Sequence, residues 1–426
     1  MLKFLLMILM TLIMKMKLTK SMMAILMIMF NLSLQGTSIQ KISYIFMGDL
    51  ISFWNSNLSL WIVYSMMFMT TTNQNFNSKI LLTTMLIFVS IFYTWNFMIF
   101  YIIFESSMIM MLIMITSWSY QPERTEALMF MILMTIMFSL PFMIIMMYKY
   151  KSLNFWFIKI DLSVWSYLSF MFIFMMKMPS YFIHFWLPKV HVEAPVQGSM
   201  ILAAIMLKMG CYGMMRMMMM MIKFKMINLI ISTTMMWSMV ILSMSCFIQT
   251  DIKTLIAYSS VVHMMLVLLT IMTNKNKSVF GSIITMMSHG LCAAALFFMS
   301  NIFYSNSKSR SILINKGMAQ IIPMMMLMWF AGCMSNTPMP PFISIIGEII
   351  SFKMILNSTN MMTMIFMMSL TSSMFSIFMY YVMVHGKFSK MTSMNFLIKE
   401  KVVLTLIMLM APTVLLSLKP LMLLIS

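Results

Sequence analysis

Apolar runs broken by short polar punctuation fill the chain from end to end. Most runs are about 15–27 residues long, where a helical membrane crossing needs about 20 and a barrel strand about 10. Backbone groups in lipid must be satisfied within a helix or a closed barrel. Run length decides for helices, and the pattern predicts an all-α polytopic membrane protein with about 14 spans. The runs lie near 2–14, 21–35, 58–73, 79–96, 97–118, 125–148, 163–187, 195–221, 227–248, 252–273, 279–304, 318–357, 362–385 and 402–424. A polar stretch with Asp49 and Asn55 separates the second run from the third. The turn-like Gln121-Pro122-Glu123-Arg124 leads into the sixth, and Pro195 suits the first helical position of the eighth.

Two runs carry prolines where a crossing should be continuous. Pro179 lies inside the seventh, and Pro338, Pro340 and Pro341 lie inside the twelfth, which is too long for one simple crossing. Proline removes an intrahelical hydrogen bond and clashes with the preceding turn, so both helices should break there. Paired interrupted helices, one in each half of a chain, are the sequence pointer to inverted-repeat transporters. The placement divides the chain into N-terminal peripheral helices (1–75), two halves (76–225 and 226–390) and a C-terminal helix (391–426). No residue-level repeat accompanies it.

Composition adds detail to this picture without changing it. Hydrophobic residues make up 62% and charged residues 9%, where a soluble domain carries about 25% charged. The net charge of 28 − 9 = +19 comes from basic residues that punctuate apolar runs singly or in pairs. That distribution fits helix ends and loops facing anionic lipid headgroups, and it makes no basic face for nucleic acid. Cys211, Cys246, Cys292 and Cys333 stand in apolar contexts without a CxxC, which reads as structural free thiols and not as zinc or iron–sulfur ligation. No GxGxxG or GxxxxGK[ST] supports nucleotide binding. Methionine reaches 72 of 426 residues while the arginines are only Arg124, Arg216 and Arg310. Adaptable packing alone does not demand so many methionines, and an AT-rich genome that reads ATA as Met, as animal mitochondria do, accounts for them. After Met1 to Met14 there is no Ala-x-Ala cleavage pattern, and no Arg-rich leader is present, so import is not required by the sequence.

Ionisable residues inside apolar runs are the candidate chemistry. Lys177 follows FMFIFMM and precedes Pro179, and Lys208 follows SMILAAIML. An ammonium at the bilayer centre costs roughly 2.5–3.5 kcal/mol even on the lenient insertion scale, so such a residue faces other helices or water, or snorkels to the interface. Glu105, in FYIIFESSMIMML, and Glu348, in PPFISIIGEIISF, are either partners in interhelical pairs or proton-handling acids. His263 and His289 lie mid-span in successive runs. They read as packing residues, as haem ligands if paired on facing helices, or as proton relays, since imidazole titrates near neutral pH. His184, Lys189, His191 and Glu193 lack the i, i+4 histidine pair of a zinc helix and read as a hydrogen-bonded turn between two spans. Asp251 and Lys253 read as the cap of the tenth run.

The stretch KMPSYFIHFWLPKVHVEAPVQGSMILAAIMLKMGCYGMMR, with QTDIKTLIAYSSVVHM, SHGLCAAALFF and PPFISIIGE, covers 177–348, and FESSMIMMLIMITSW…PERTEA extends the match back to 104. This wording resembles the antiporter-like membrane subunits of mitochondrial NADH:ubiquinone oxidoreductase, respiratory complex I. That family is similar in turn to the membrane subunits of multisubunit cation/proton antiporters. The resemblance implies two antiporter-like inverted repeats with broken helices seven and twelve, in a multi-pass protein of the mitochondrial inner membrane. It implies a proton-translocating module whose partners are neighbouring membrane-arm subunits and phospholipids. NADH, FMN, iron–sulfur clusters and ubiquinone would be handled by other subunits, with no cofactor bound by this chain. By matching motifs, Glu105, Lys177, Lys208, His263, His289 and Glu348 take the positions of the family's proton-transfer series. The chain departs from the family in a shortened N-terminal region. The other reading is a membrane subunit of a Na⁺/H⁺ antiporter with no redox partner, and a purely structural arm spacer is the third.

Overall fold

Each apolar run has a helical counterpart. The computed structural model describes residues 2–14, 16–33, 40–41, 46–69, 75–119, 122–149, 163–220, 224–359, 361–386 and 400–418. The helices are α1 (Leu2–Ile13), α2 (Met16–Ser33), α3 (Leu50–Met69), α4 (Asn75–Tyr93), α5 (Phe97–Trp118), α6 (Arg124–Lys149), α7 (Val164–Lys177) and α8 (Trp186–Glu193). They continue with α9 (Val196–Ile201), α10 (Leu207–Met220), α11 (Lys225–Ser245), α12 (Ile252–Met272) and α13 (Asn276–Ser307). The last are α14 (Pro323–Asn336), α15 (Ser344–Thr359), α16 (Met362–Val384) and α17 (Glu400–Leu418). Strand pairing among the described residues is confined to Gln40–Lys41 with Met47–Gly48 and two isolated bridges. Among the described residues, 8 helices are long and apolar enough to cross a membrane.

The 32-residue α13 is the hub of the bundle, packing against α3, α9, α12, α14, α15 and α17. Its apolar window is wholly buried, as is that of the span formed by α9 and α10. By contrast only 28% of the windows of α6 and α17 is buried, so these form the rim. Small residues let α13 sit so deep: a methyl group on Gly290 would lie 3.4 Å from the Ala204 carbonyl oxygen and 2.8 Å from a Leu58 methyl. Helices in lipid associate through such close approach because the tails are as apolar as the side chains.

Both proline sites break their helices. Proline has no N–H to continue the ladder, and α7 stops at Lys177, with a turn through 178–185 before α8 resumes. The backbone opened there finds new partners, among them the Trp186 indole, which donates to the Met176 carbonyl at 3.2 Å. The twelfth run divides into α14 and α15, and the Ile343 amide in the gap donates to the Thr413 carbonyl of α17 at 3.1 Å. Between α9 and α10 the chain makes a π turn over Leu202–Met206, where the Leu207 amide reaches back to the Leu202 carbonyl.

Three expectations are corrected. The third run begins as a helix at Leu50, so Asn55 is inside α3 and not in a polar linker; interior hydroxyls such as Ser56 and Ser59 lower the hydropathy but bond their own backbone. The end of that run (70–73) and of the last (419–424) lie outside the described residues. The segment read as a hydrogen-bonded turn with His191 and Glu193 is instead helix α8, buried on the face of Trp186, Leu187, Val190 and His191. Asp251 does occupy the N-cap of α12 but makes no side-chain capping bond, while Lys253 points inward. All four cysteines are free and buried.

Candidate functional site

The α5 helix starts at Asn96, whose side chain accepts the Met98 amide, and it carries a half-buried Glu105. Lys177, the last residue of α7 and 2% exposed, comes to meet it. Its Nζ donates to the Phe104 carbonyl at 3.1 Å and stands 3.6 Å from the centre of the Phe104 ring. A carbonyl and an aromatic face together stabilise an ammonium that water cannot reach. The Glu105 carboxylate is within electrostatic reach of Lys177, but the ammonium's direct partner is the neighbouring residue. Gly210 of α10 brings the next charged helix close, since a methyl there would lie 3.1 Å from Lys177 Cβ.

Lys208 is 1% exposed and sits two residues beyond the π turn. Its Nζ donates to the Ala203 carbonyl at 2.8 Å and meets His289 Nδ1 at 3.0 Å. This second contact works in either of two proton placements: an ammonium donating to a bare Nδ1, or a protonated Nδ1 donating to an amine. The rings of His289 and His263 are 5.5 Å apart, and His263 Nδ1 stands 3.5 Å from Glu348 Oε1. A cavity of about 10 Å³, room for a single water, lies between His263, His289, Ser288, Asn336 and Glu348. The order is therefore Lys208, His289, His263, Glu348. Sequence order put His263 nearer Lys208, but Gly290 beside His289 lets the π turn and the Lys208 side chain come close to α13.

Sequence reasoning underrated two residues near this series. His191 is 0% exposed, stacks on Phe297 at 4.6 Å between centroids, and is within electrostatic reach of Lys208 and Lys253. Lys253 donates to the Ala194 carbonyl at 3.2 Å, at the C-terminal end of α8, where the helix dipole favours a cation. Nothing in the sequence distinguishes Lys253 from a solvated helix end; only the docking of α8 buries it. Among the described residues no group of three or more His, Cys, Asp or Glu is placed to hold a metal.

The NADH:quinone oxidoreductase/Mrp antiporter transmembrane family matches residues 94–376, from the start of α5 through most of α16. The chain belongs to that family. Among its relatives, NADH-ubiquinone oxidoreductase chain 4 of Ceratitis capitata is 38% identical over 82% of this chain and 81% of the relative. The protein of the same name from Locusta migratoria is 36% identical over 87% and 86%. The fold is shared with a chain of respiratory complex I from Thermus thermophilus, with a TM-score of 0.85 at 16% identity over 98% of this chain and 96% of that one. It is shared also with a chain of the Mrp complex from Dietzia sp., with a TM-score of 0.82 at 15% identity over 95% of this chain and 47% of that one. Family membership fixes a multi-pass membrane protein whose structural neighbours work in multisubunit complexes.

Proposed function

We infer that this chain is a membrane-arm subunit of the proton-pumping NADH:ubiquinone oxidoreductase, and we propose that its buried polar series carries the protons. The observation behind the second statement is the contiguous line Lys208, His289, His263, Glu348, beside a separate Glu105–Lys177 group at a broken helix. Ionisable groups inside a membrane protein are functional by default, because each costs too much to keep for packing alone. A carboxylate near Lys177 favours its ammonium, and one drawn away leaves desolvation to favour the neutral amine. About 1.4 kcal/mol separates tenfold populations, so a small shift of α5 against α7 suffices to release a proton towards Lys208. From there the proton passes to His289 by the two-way contact, and across the small cavity through His263 to Glu348.

The redox groups, NADH, FMN, iron–sulfur clusters and ubiquinone, belong to other subunits in this reading, and neighbouring antiporter-like subunits and phospholipids surround the rim. In this reading the chain sits in the mitochondrial inner membrane, which its likeness to NADH-ubiquinone oxidoreductase chain 4 supports. In this reading the chain has two halves, 76–225 and 226–390, and the breaks after α7 and between α14 and α15, one in each, support the division. Glu105→Ala should abolish pumping by the assembled complex, and a normal proton-to-electron ratio in that variant counts against the series. Co-purification with flavin and iron–sulfur absorbance tests the assignment to the respiratory complex; their absence favours a membrane subunit of a multisubunit Na⁺/H⁺ antiporter with no redox partner.

A further inference from the structure

A second line of polar side chains enters the bundle on α3, and the series ending at Glu348 does not use it. Ser52, Asn55, Ser56 and Ser59 stand at i, i+3, i+4 and i+7 on one face of the helix, all of them buried. At one end of the line Asp49 Oδ2 accepts from Arg216 of α10 at 2.6 Å, and Arg216 is 3% exposed. The Arg216 guanidinium also lies 4.8 Å from the centre of the Tyr212 ring. Tyr93 of α4 closes the side, its hydroxyl 3.3 Å from Ser56 Oγ. At the other end the α3 turn with Leu58 reaches Lys208: a methyl on Gly290 would touch Leu58 Cδ1 at 2.8 Å and Lys208 Cε at 3.4 Å. Lys208, Tyr212 and Arg216 follow at four-residue intervals along one face of α10. The two helices thus run in opposite senses with a polar seam joining the ion pair to Lys208, over roughly 12 Å at about 1.5 Å per residue.

Asn55 is the residue that packing does not explain. It is 1% exposed, and neither atom of its amide has a hydrogen-bonding partner among the described residues; the same holds for Asp49 Oδ1. An unsatisfied buried amide is costly, and an apolar residue of similar shape would avoid the cost. Leucine at this position would therefore suit a purely structural helix better.

We propose that the α3–α10 seam is a second proton route to Lys208, opening at the membrane face where Asp49 and Arg216 lie, with Asn55 holding water between the serine hydroxyls. The proposal rests on the assignment of Lys208 to proton transfer. Each hydroxyl takes one proton and passes one on, so the net change is one proton moved between the Lys208 amine and water beside Asp49.

The test uses the intact complex in proteoliposomes, with protons moved per electron and NADH:ubiquinone turnover measured side by side. Asn55→Leu is expected to lower the proton yield to half or less with flavin and iron–sulfur content unchanged, whereas Asn55→Ser retains most of it. A wild-type yield for Asn55→Leu overturns the proposal, and so does a greater loss for Asn55→Ser, the order a packing role gives. Should Asn55→Leu fail to assemble, Ser56→Ala and Ser59→Ala, each one atom smaller, take its place: a lowered yield supports the seam and an unchanged one overturns it. Lys208→Ala separates the two readings. A normal yield there defeats the functional assignment itself, while a lost yield beside a normal Asn55→Leu defeats only the seam.

Discussion

Lys208 shows how an amino group is kept in an apolar bundle. The Ala203 carbonyl and the His289 ring replace the water that burial removes, and isolated charge transfer without such partners would be prohibitive. The pair Asp49–Arg216 is held by the same logic but is more exposed to single changes. Asp49→Asn leaves a buried guanidinium without its counter-charge, and removing one partner of a buried pair costs about 3–5 kcal/mol. The expected outcome is a clear fall in the thermal inactivation midpoint of the detergent-solubilised complex. Replacing both partners with neutral residues should recover most of it. Equal midpoints for Asp49→Asn and the wild type would show that the pair contributes little.

At the scale of elements, the two breaks aim side chains that a regular helix would hold elsewhere. Lys177 ends α7 and Glu348 stands in the second turn of α15, each close to its proline site. The fit of α15 against α13 depends on Gly347, where an added methyl would lie 2.7 Å from Thr285 Cγ2 and 3.0 Å from the Thr285 amide nitrogen. A backbone atom cannot rotate aside, so Gly347→Ala must push the helices apart. Overpacking of this kind costs about 1–3 kcal/mol, and the shift lengthens the 3.5 Å approach of His263 to Glu348. Gly347→Ala should lower both thermal stability and proton yield. Retention of both would mean that α15 accommodates the methyl by sliding without moving Glu348.

Across the whole molecule, polarity is inverted relative to a soluble protein. Ionisable groups gather around α13 while large apolar side chains such as Met137, Ile144, Met362 and Phe366 are exposed on α6 and α16. Lipid is the solvent that tolerates this arrangement. Alkaline carbonate should therefore leave the chain in the membrane pellet. Its release into the supernatant would contradict the spanning assignment.

Run length and proline placement determined the helical class, the approximate spans and the two breaks, because lipid admits few backbone solutions and proline stops a ladder by local chemistry alone. The six ionisable candidates were visible for a related reason: a charge inside an apolar run is conspicuous. Tertiary structure alone decided who touches whom. His289 and not His263 reaches Lys208, Lys177 takes the Phe104 carbonyl ahead of the Glu105 carboxylate, and α8 turns Lys253 from a helix end into a buried cation. The α3 seam was hidden because Asn55, with Ser52 and Ser56 beside it, reads as a linker when hydropathy is averaged along the chain. Such contacts depend on which faces of distant helices meet, and that is settled by the close approaches at Gly210, Gly290 and Gly347, residues without a side chain to announce their partners.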